Sequence, residues 1–109
     1  METITLPYSG KEVRIPSTGS DWELYTSSMA CGRAARALTS ALKKAVAVVD
    51  KAAKDGFRPT ESGFYELYEK YGVPVCSKYA SFGAYDTEPR THFILALEKV
   101  VETVTGSRF

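Results

Sequence analysis

The chain has 109 residues, of which 44% are hydrophobic and 25% charged, and its formal net charge is +1. These values predict one soluble globular domain, residues 1–109, that can bury a core without disulfides or metals. They argue against a dedicated nucleic-acid-binding domain, which is usually strongly basic. The sequence lacks a secretory signal and any apolar stretch long enough to cross a bilayer, so we expect a cytoplasmic protein.

The cysteine and histidine content limits the chemistry that can be expected. Cys31 and Cys76 are too few for a disulfide framework, and with His92 as the single imidazole we expect no metal site. Cys76 and His92 could in principle form a nucleophile and base, but no third group that would orient the imidazole can be assigned. We therefore expect no cofactor and no enzymatic activity.

The start of the chain predicts a β-hairpin. Apolar and polar residues alternate on both sides of a polar turn at residues 9–12, which is the pattern of two half-buried strands. The alternating apolar residues are Ile4, Leu6, Tyr8, Val13 and Ile15. Because Pro7 has no N–H to donate, we expect the first strand to lie at an edge, and Pro16 closes the second strand.

The stretch from Ser20 to Lys54 predicts one long central helix. Ser20 and Glu23 have the spacing of a capping box, and Gly56 is suited to end the helix in a left-handed conformation. One side of the helical wheel is apolar and predicts a core face. This face consists of Cys31, Ala34, Ala35, Leu38, Leu42, Ala45, Val46, Val49, Ala52 and Ala53.

The length of this helix requires a choice between two structures. A straight helix of this length would extend about 50 Å, which is more than a compact domain of this mass spans. We expect a break near Ser27, Ser28 and Gly32, residues of poor helix propensity. The alternative is a protruding end that buries Trp22, Tyr25 and Met29 against a second subunit.

The other side of the central helix predicts a basic face. Asp50 falls at its margin. Such a face could contact an acidic protein surface or phosphates, or it could simply be solvated. Its members are Arg33, Arg36, Lys43, Lys44, Lys51 and Lys54.

The second half of the chain predicts a short helix, a strand and a final helix. The short helix extends from Thr60 to Gly72, and the strand covers residues 73–79. The final helix begins at Thr87 or Glu88 and ends before Gly106. Its apolar side consists of Phe93, Ile94, Leu97, Val100, Val101 and Val104. The order is β-β-α-α-β-α, which predicts an α+β domain with a small, mostly antiparallel sheet covered by helices.

Two further sets of residues are candidates for contact with a partner. Tyr79, Phe82 and Tyr85 lie in or beside the predicted loop at residues 80–87, where aromatic side chains can form a contact surface or fill the core. Leu95 lies on the outer side of the final helix, where it is either a protein contact or an ordinary exposed leucine.

The sequence therefore predicts a small binding or regulatory protein without catalytic activity. We expect it to act through protein contacts involving Trp22, Met29 and Leu95, as a homodimer or as a subunit of a larger assembly. The alternative is sequence-independent nucleic-acid binding through the basic face. No membrane association is expected.

Overall fold

The computed structural model describes residues 1–25, 32–59, 66–67, 69–73 and 89–106, and its elements confirm the predicted α+β class. The elements are β1 (Glu2–Thr5), β2 (Glu12–Ile15), α1 (Gly19–Trp22), α2 (Gly32–Lys54) and α3 (Pro89–Thr105). Residues 66, 67 and 69 are also helical, within the predicted short helix. Of the predicted strand at residues 73–79, only Val73 is described, and it lies in no strand. No helix in the described ranges is both long and apolar enough to cross a membrane.

The two strands form the predicted antiparallel hairpin, with Glu2 opposite Ile15 and Thr5 opposite Glu12. The loop between them is closed by the N–H of Leu6, which donates to the carbonyl of Lys11 over 2.9 Å. It turns earlier than predicted, since β1 ends before Pro7, which cannot donate to the ladder. Tyr8 therefore lies in the loop and is 51% exposed, not on the buried side of a strand as predicted.

The long helix predicted from Ser20 to Lys54 is divided, as expected, but its first part already ends before the predicted position of the break, of which Ser27 and Ser28 lie outside the described residues. α1 ends at Trp22, the chain turns through residues 23–25, and α2 begins at Gly32. The indole N–H of Trp22 donates to the hydroxyl of Thr39 over 3.2 Å. In a straight helix these residues would lie about 26 Å apart, so their contact requires the two helices to fold back on each other. The radius of gyration is 13.3 Å, as expected for a compact chain of this length.

The helix start is two residues earlier than predicted. The N-cap of α1 is Thr18, whose hydroxyl accepts from the backbone N–H of Asp21 over 3.1 Å. The Asp21 carboxylate accepts in return from the backbone N–H of Thr18. The predicted capping box of Ser20 and Glu23 is wrong because Thr18 and Asp21 have the same spacing and satisfy the free amides first.

The end of α2 is the one that the sequence predicts. Gly56 has a φ of 103°, and its N–H donates to the carbonyl of Ala53. The N–H of Phe57 donates to the carbonyl of Ala52 over 2.9 Å, and the Phe57 ring is buried. These two bonds are those of a Schellman motif, which requires a left-handed residue and therefore favours glycine at this position.

The core lies between α2, α3 and β2, with α1 packed on α2. The buried side of α2 is the predicted apolar face, but it is wider, because Thr39 and Asp50 are buried as well. The predicted apolar side of α3 is confirmed at Phe93, Leu97, Val100, Val101 and Val104. The ammonium of Lys11 reaches the carbonyl of Thr103 over 3.1 Å, which joins the hairpin to the negative end of the α3 dipole.

Candidate contact surface on helix α2

The six residues of the predicted basic face are all exposed. They extend along α2 from Arg33 to Lys54, a distance of about 32 Å along the helix axis. We refer to these six side chains, Arg33, Arg36, Lys43, Lys44, Lys51 and Lys54, as the basic face.

Asp50 does not lie at the margin of the basic face, as the sequence predicted, but is buried with 1% of its surface exposed. Its carboxylate accepts the backbone N–H groups of Tyr8 and Ser9, each over 2.9 Å. The tip of the hairpin therefore covers this side of α2. Because Asp50 is the only acidic residue between Arg33 and Lys54, the solvent-exposed side of α2 has no carboxylate of its own over this length.

Two members of the basic face contact the hairpin. The ammonium of Lys43 lies 2.9 Å from a carboxylate oxygen of Glu2, and that of Lys54 lies 4.6 Å from the centre of the Tyr8 ring. The Lys43 and Glu2 side chains are 44% and 41% exposed, so solvent and salt screen this ion pair and it adds little to stability.

The other four members, Arg33, Arg36, Lys44 and Lys51, form no ion pair with a residue in the described part of the chain. The hairpin contacts the side of α2 that carries Asp50 and Lys43. The part of the basic face on the other side of α2, away from the hairpin, is called the open strip. There Lys44 and Lys51, two turns apart, are exposed together with Ala47 between them. This strip is accessible to a large partner, because the groups along it are already in solvent.

A cleft of about 330 Å³ lies where the basic face meets the hairpin. It is lined by Glu2, Ser17, Arg36, Thr39, Ser40 and Lys43. The Thr39 hydroxyl donates to the carbonyl of Pro16 over 2.9 Å, and the Ser17 hydroxyl donates to Asp21 over 3.1 Å. Two of the three hydroxyls in the cleft therefore have their protons engaged elsewhere.

Asp21, which accepts the Ser17 hydroxyl, is itself held by several donors. Its carboxylate accepts the backbone N–H of Ser17 over 3.0 Å and lies 2.9 Å from the N-terminal ammonium of Met1. The Ser17 N–H first, and then the ammonium, hold the pKa of Asp21 well below its usual range. In the turn that follows α1, burial raises the pKa of the Tyr25 hydroxyl. The Asp21 carboxylate is thus ionised and compensated locally.

The remaining predicted contact residues have different positions. Leu95 is 42% exposed on α3, as expected. Trp22 is fully buried against α2 within this chain, so its proposed contact with a second subunit is wrong. Met29, the aromatic residues Tyr79, Phe82 and Tyr85, and both cysteines lie outside the described residues. Within the described ranges, no group of three His, Cys, Asp or Glu side chains could hold a metal ion.

Three residues of this surface were not identified from the sequence. Glu2 lies 41 positions from Lys43, and no local pattern indicates their contact. Asp50 has the wheel position of a marginal surface residue, and only the hairpin tip explains its burial. Ser40 could have been found, because it lies one helical turn after Arg36 and therefore on the same side of α2.

Comparison with protein-family models, with curated proteins and with solved structures returned no match to this chain.

Proposed function

We propose that this chain is a non-catalytic cytoplasmic binding protein that acts by contact with another protein, and that the basic face of α2 is the contact surface. The observation that carries the proposal is the exposure of a row of cations from Arg33 to Lys54, while the one acidic residue within that stretch, Asp50, is buried under the hairpin. An acidic surface on the partner is the complement of such a row.

Two features favour a protein over a nucleic acid as the partner. The formal net charge is only +1, so the long-range field that concentrates phosphates around a binding domain is weak. Exposed carboxylates also border the basic face, with Glu2 on its hairpin side and Asp55 just beyond its end. A protein partner can place its charges between these carboxylates, whereas a phosphate backbone has negative charge at every step.

The exposed leucine on α3 supports protein contact on a second side of the molecule. Leu95 is 42% exposed, and apolar side chains of this kind add contact area in protein interfaces. Self-association through this side of α3 gives the homodimer predicted from the sequence. Light scattering of the purified protein measures that association directly.

Sequence-independent nucleic-acid binding is the second candidate function. It is favoured by the spacing of Arg33, Lys44 and Lys51, which lie on one side of α2 without a partner among the described residues. If these cations contact phosphates, the affinity falls with salt, with a logarithmic slope of about −0.9 for each phosphate that is neutralised on duplex DNA.

The experiment compares capture of partners from a lysate of the source organism by wild-type protein and by two charge-reversal variants. Lys44→Glu changes the basic face. Lys70→Glu is the matched control, because Lys70 is exposed outside both the basic face and the Leu95 side of α3, and its contact with Glu66 is a solvent-exposed pair of 3.8 Å. We expect a protein that is captured after nuclease treatment, lost with Lys44→Glu and retained with Lys70→Glu.

The other outcomes of this experiment are equally informative. Capture that disappears on nuclease treatment, together with a salt-dependent mobility shift of duplex DNA, supports the second candidate. Capture that is the same for both variants means that the basic face is an ordinary solvated surface, and it overturns the proposal.

A further inference from the structure

We infer that the cleft between β1 and α2 is a binding site for a carboxylate side chain, and that Glu2 is an internal competitor that occupies part of this site in the free protein. The inference deepens the proposed function and rests on it, because it assigns one anchoring point on the basic face to an acidic group of the partner.

The donors available in the cleft are arranged on one side of α2. Arg36, Ser40 and Lys43 are at positions i, i+4 and i+7, so their side chains lie one above another along the helix. In the described part of the chain, Arg36 and Ser40 have no hydrogen-bond or ion-pair partner. The planar guanidinium can bind both oxygens of a carboxylate, and an ammonium on the same side adds a second positive charge.

The two other hydroxyls of the cleft already donate to groups of the same chain, so Arg36, Ser40 and Lys43 are the donors that remain for a ligand. The Thr39 hydroxyl proton is used by the Pro16 carbonyl, and the Ser17 hydroxyl proton by Asp21. A carboxylate that enters the cleft therefore finds donors on the α2 side, and it meets the Glu2 carboxylate on the β1 side.

Glu2 shows which chemistry the cleft accepts. Its carboxylate oxygen is 2.9 Å from the Lys43 ammonium, so one of the cations already holds a carboxylate from the same chain. This contact is more than 40% exposed on both sides and is weak for that reason. The ladder fixes the Glu2 backbone opposite Ile15, so the side chain can turn out into solvent without movement of the strand.

The size of the cleft fits a single side chain. A volume of about 330 Å³ is at the lower end of the range for ligand sites and accommodates one carboxylate-bearing side chain. Lys44 follows Lys43 on the open strip outside the cleft. An acidic segment anchored in the cleft would therefore continue along the basic face, with its next carboxylates near Lys44.

The test measures the affinity of a labelled polyglutamate peptide by fluorescence anisotropy for wild-type protein, Glu2→Gln and Glu12→Gln. Glu2→Gln keeps the shape of the side chain but frees Lys43, and we expect an affinity gain of about two- to fivefold, the range set by a surface ion pair. In the Lys43→Met background, the same Glu2→Gln change should give a smaller gain, because it then removes only the repulsion between Glu2 and the incoming carboxylate.

Glu12→Gln is the matched control, because it changes the net charge by the same amount. Glu12 is exposed in β2 at the other end of the hairpin, and it lines a different groove with Arg14 and Lys99. The two ends of the hairpin are about 10 Å apart, which exceeds the screening length of about 8 Å near 0.15 M salt. We therefore expect little change in affinity from this variant.

Failure of the inference and failure of the proposed function are distinguishable. Equal gains from Glu2→Gln and Glu12→Gln, with binding still lost in Lys44→Glu, overturn the cleft inference and leave the basic face as the contact surface. A gain from Glu2→Gln that is equally large in the Lys43→Met background also overturns it. Absence of peptide binding to every variant, even at low salt, overturns both.

Discussion

Replacement of Asp50 by alanine tests the contact that places the hairpin on α2. The carboxylate accepts two backbone N–H groups, from Tyr8 and Ser9, each over 2.9 Å. A hydrogen bond to a charged group contributes about 1.5 to 3 kcal/mol, and the loop is partly exposed, so water can replace some of this. We expect Asp50→Ala to lower the free energy of unfolding by about 2 to 4 kcal/mol, which lowers the melting temperature by roughly 10 to 20 °C.

The measurement is urea denaturation followed by circular dichroism, with thermal melting as a second readout. Asp55→Ala is the matched control, because Asp55 directly follows the last residue of α2, is exposed and changes the net charge equally. An acidic residue near a helix C-terminus is unfavourable, so this control should be neutral or slightly stabilising. If Asp50→Ala falls within about 0.5 kcal/mol of wild type, the size of an ordinary surface substitution, the reasoning is refuted.

Two further predictions concern the contacts that hold α1. Thr39→Val keeps the shape of the side chain but leaves the Trp22 indole N–H and the Pro16 carbonyl without their buried partner. We expect it to lower the free energy of unfolding in urea by about 2 to 3 kcal/mol, whereas Thr39→Ser, which keeps the hydroxyl, should lower it by only about 1 kcal/mol. The pKa of Asp21 is lowered in the folded state, so its contribution to stability is present above its ordinary pKa of about 4 and is lost as pH falls. The stability difference between wild type and Asp21→Asn should therefore narrow in denaturation curves below about pH 4, and a constant difference would contradict the assigned contacts.

The sequence predicts well the features that depend on local periodicity. Leu38 and Leu42 on α2, and Leu97 on α3, are fully buried, as their positions on the helical wheel require. The end of α2 at Gly56 also follows from one residue, because only a left-handed conformation completes the motif there. The class of fold follows from these elements and from the alternating residues of the hairpin.

The features that could not be predicted depend on contacts between distant residues. Thr39 is polar and Asp50 is charged, so the sequence pattern does not place either on the core face. Each is buried because a distant backbone group provides its hydrogen-bond partner. The burial of Trp22 has the same cause. The sequence predicts a subunit contact for this residue, but its indole N–H bonds to Thr39, 17 residues away. Thr18 and Asp21 have the same spacing as Ser20 and Glu23, so the sequence pattern does not show which of the two pairs forms the capping box of α1.

The hairpin determines the charge that α2 presents to solvent. In sequence, residues 33 to 54 contain six basic side chains and one acidic side chain. Folding removes the acidic side chain from the surface, because the amides of the hairpin tip hold Asp50. The same hairpin returns one carboxylate at its other end, where Glu2 contacts Lys43 through solvent-exposed atoms. The buried carboxylate stabilises the fold and is inaccessible to a partner, whereas the exposed one can be displaced, so the two ends of the hairpin have different effects on binding at the basic face.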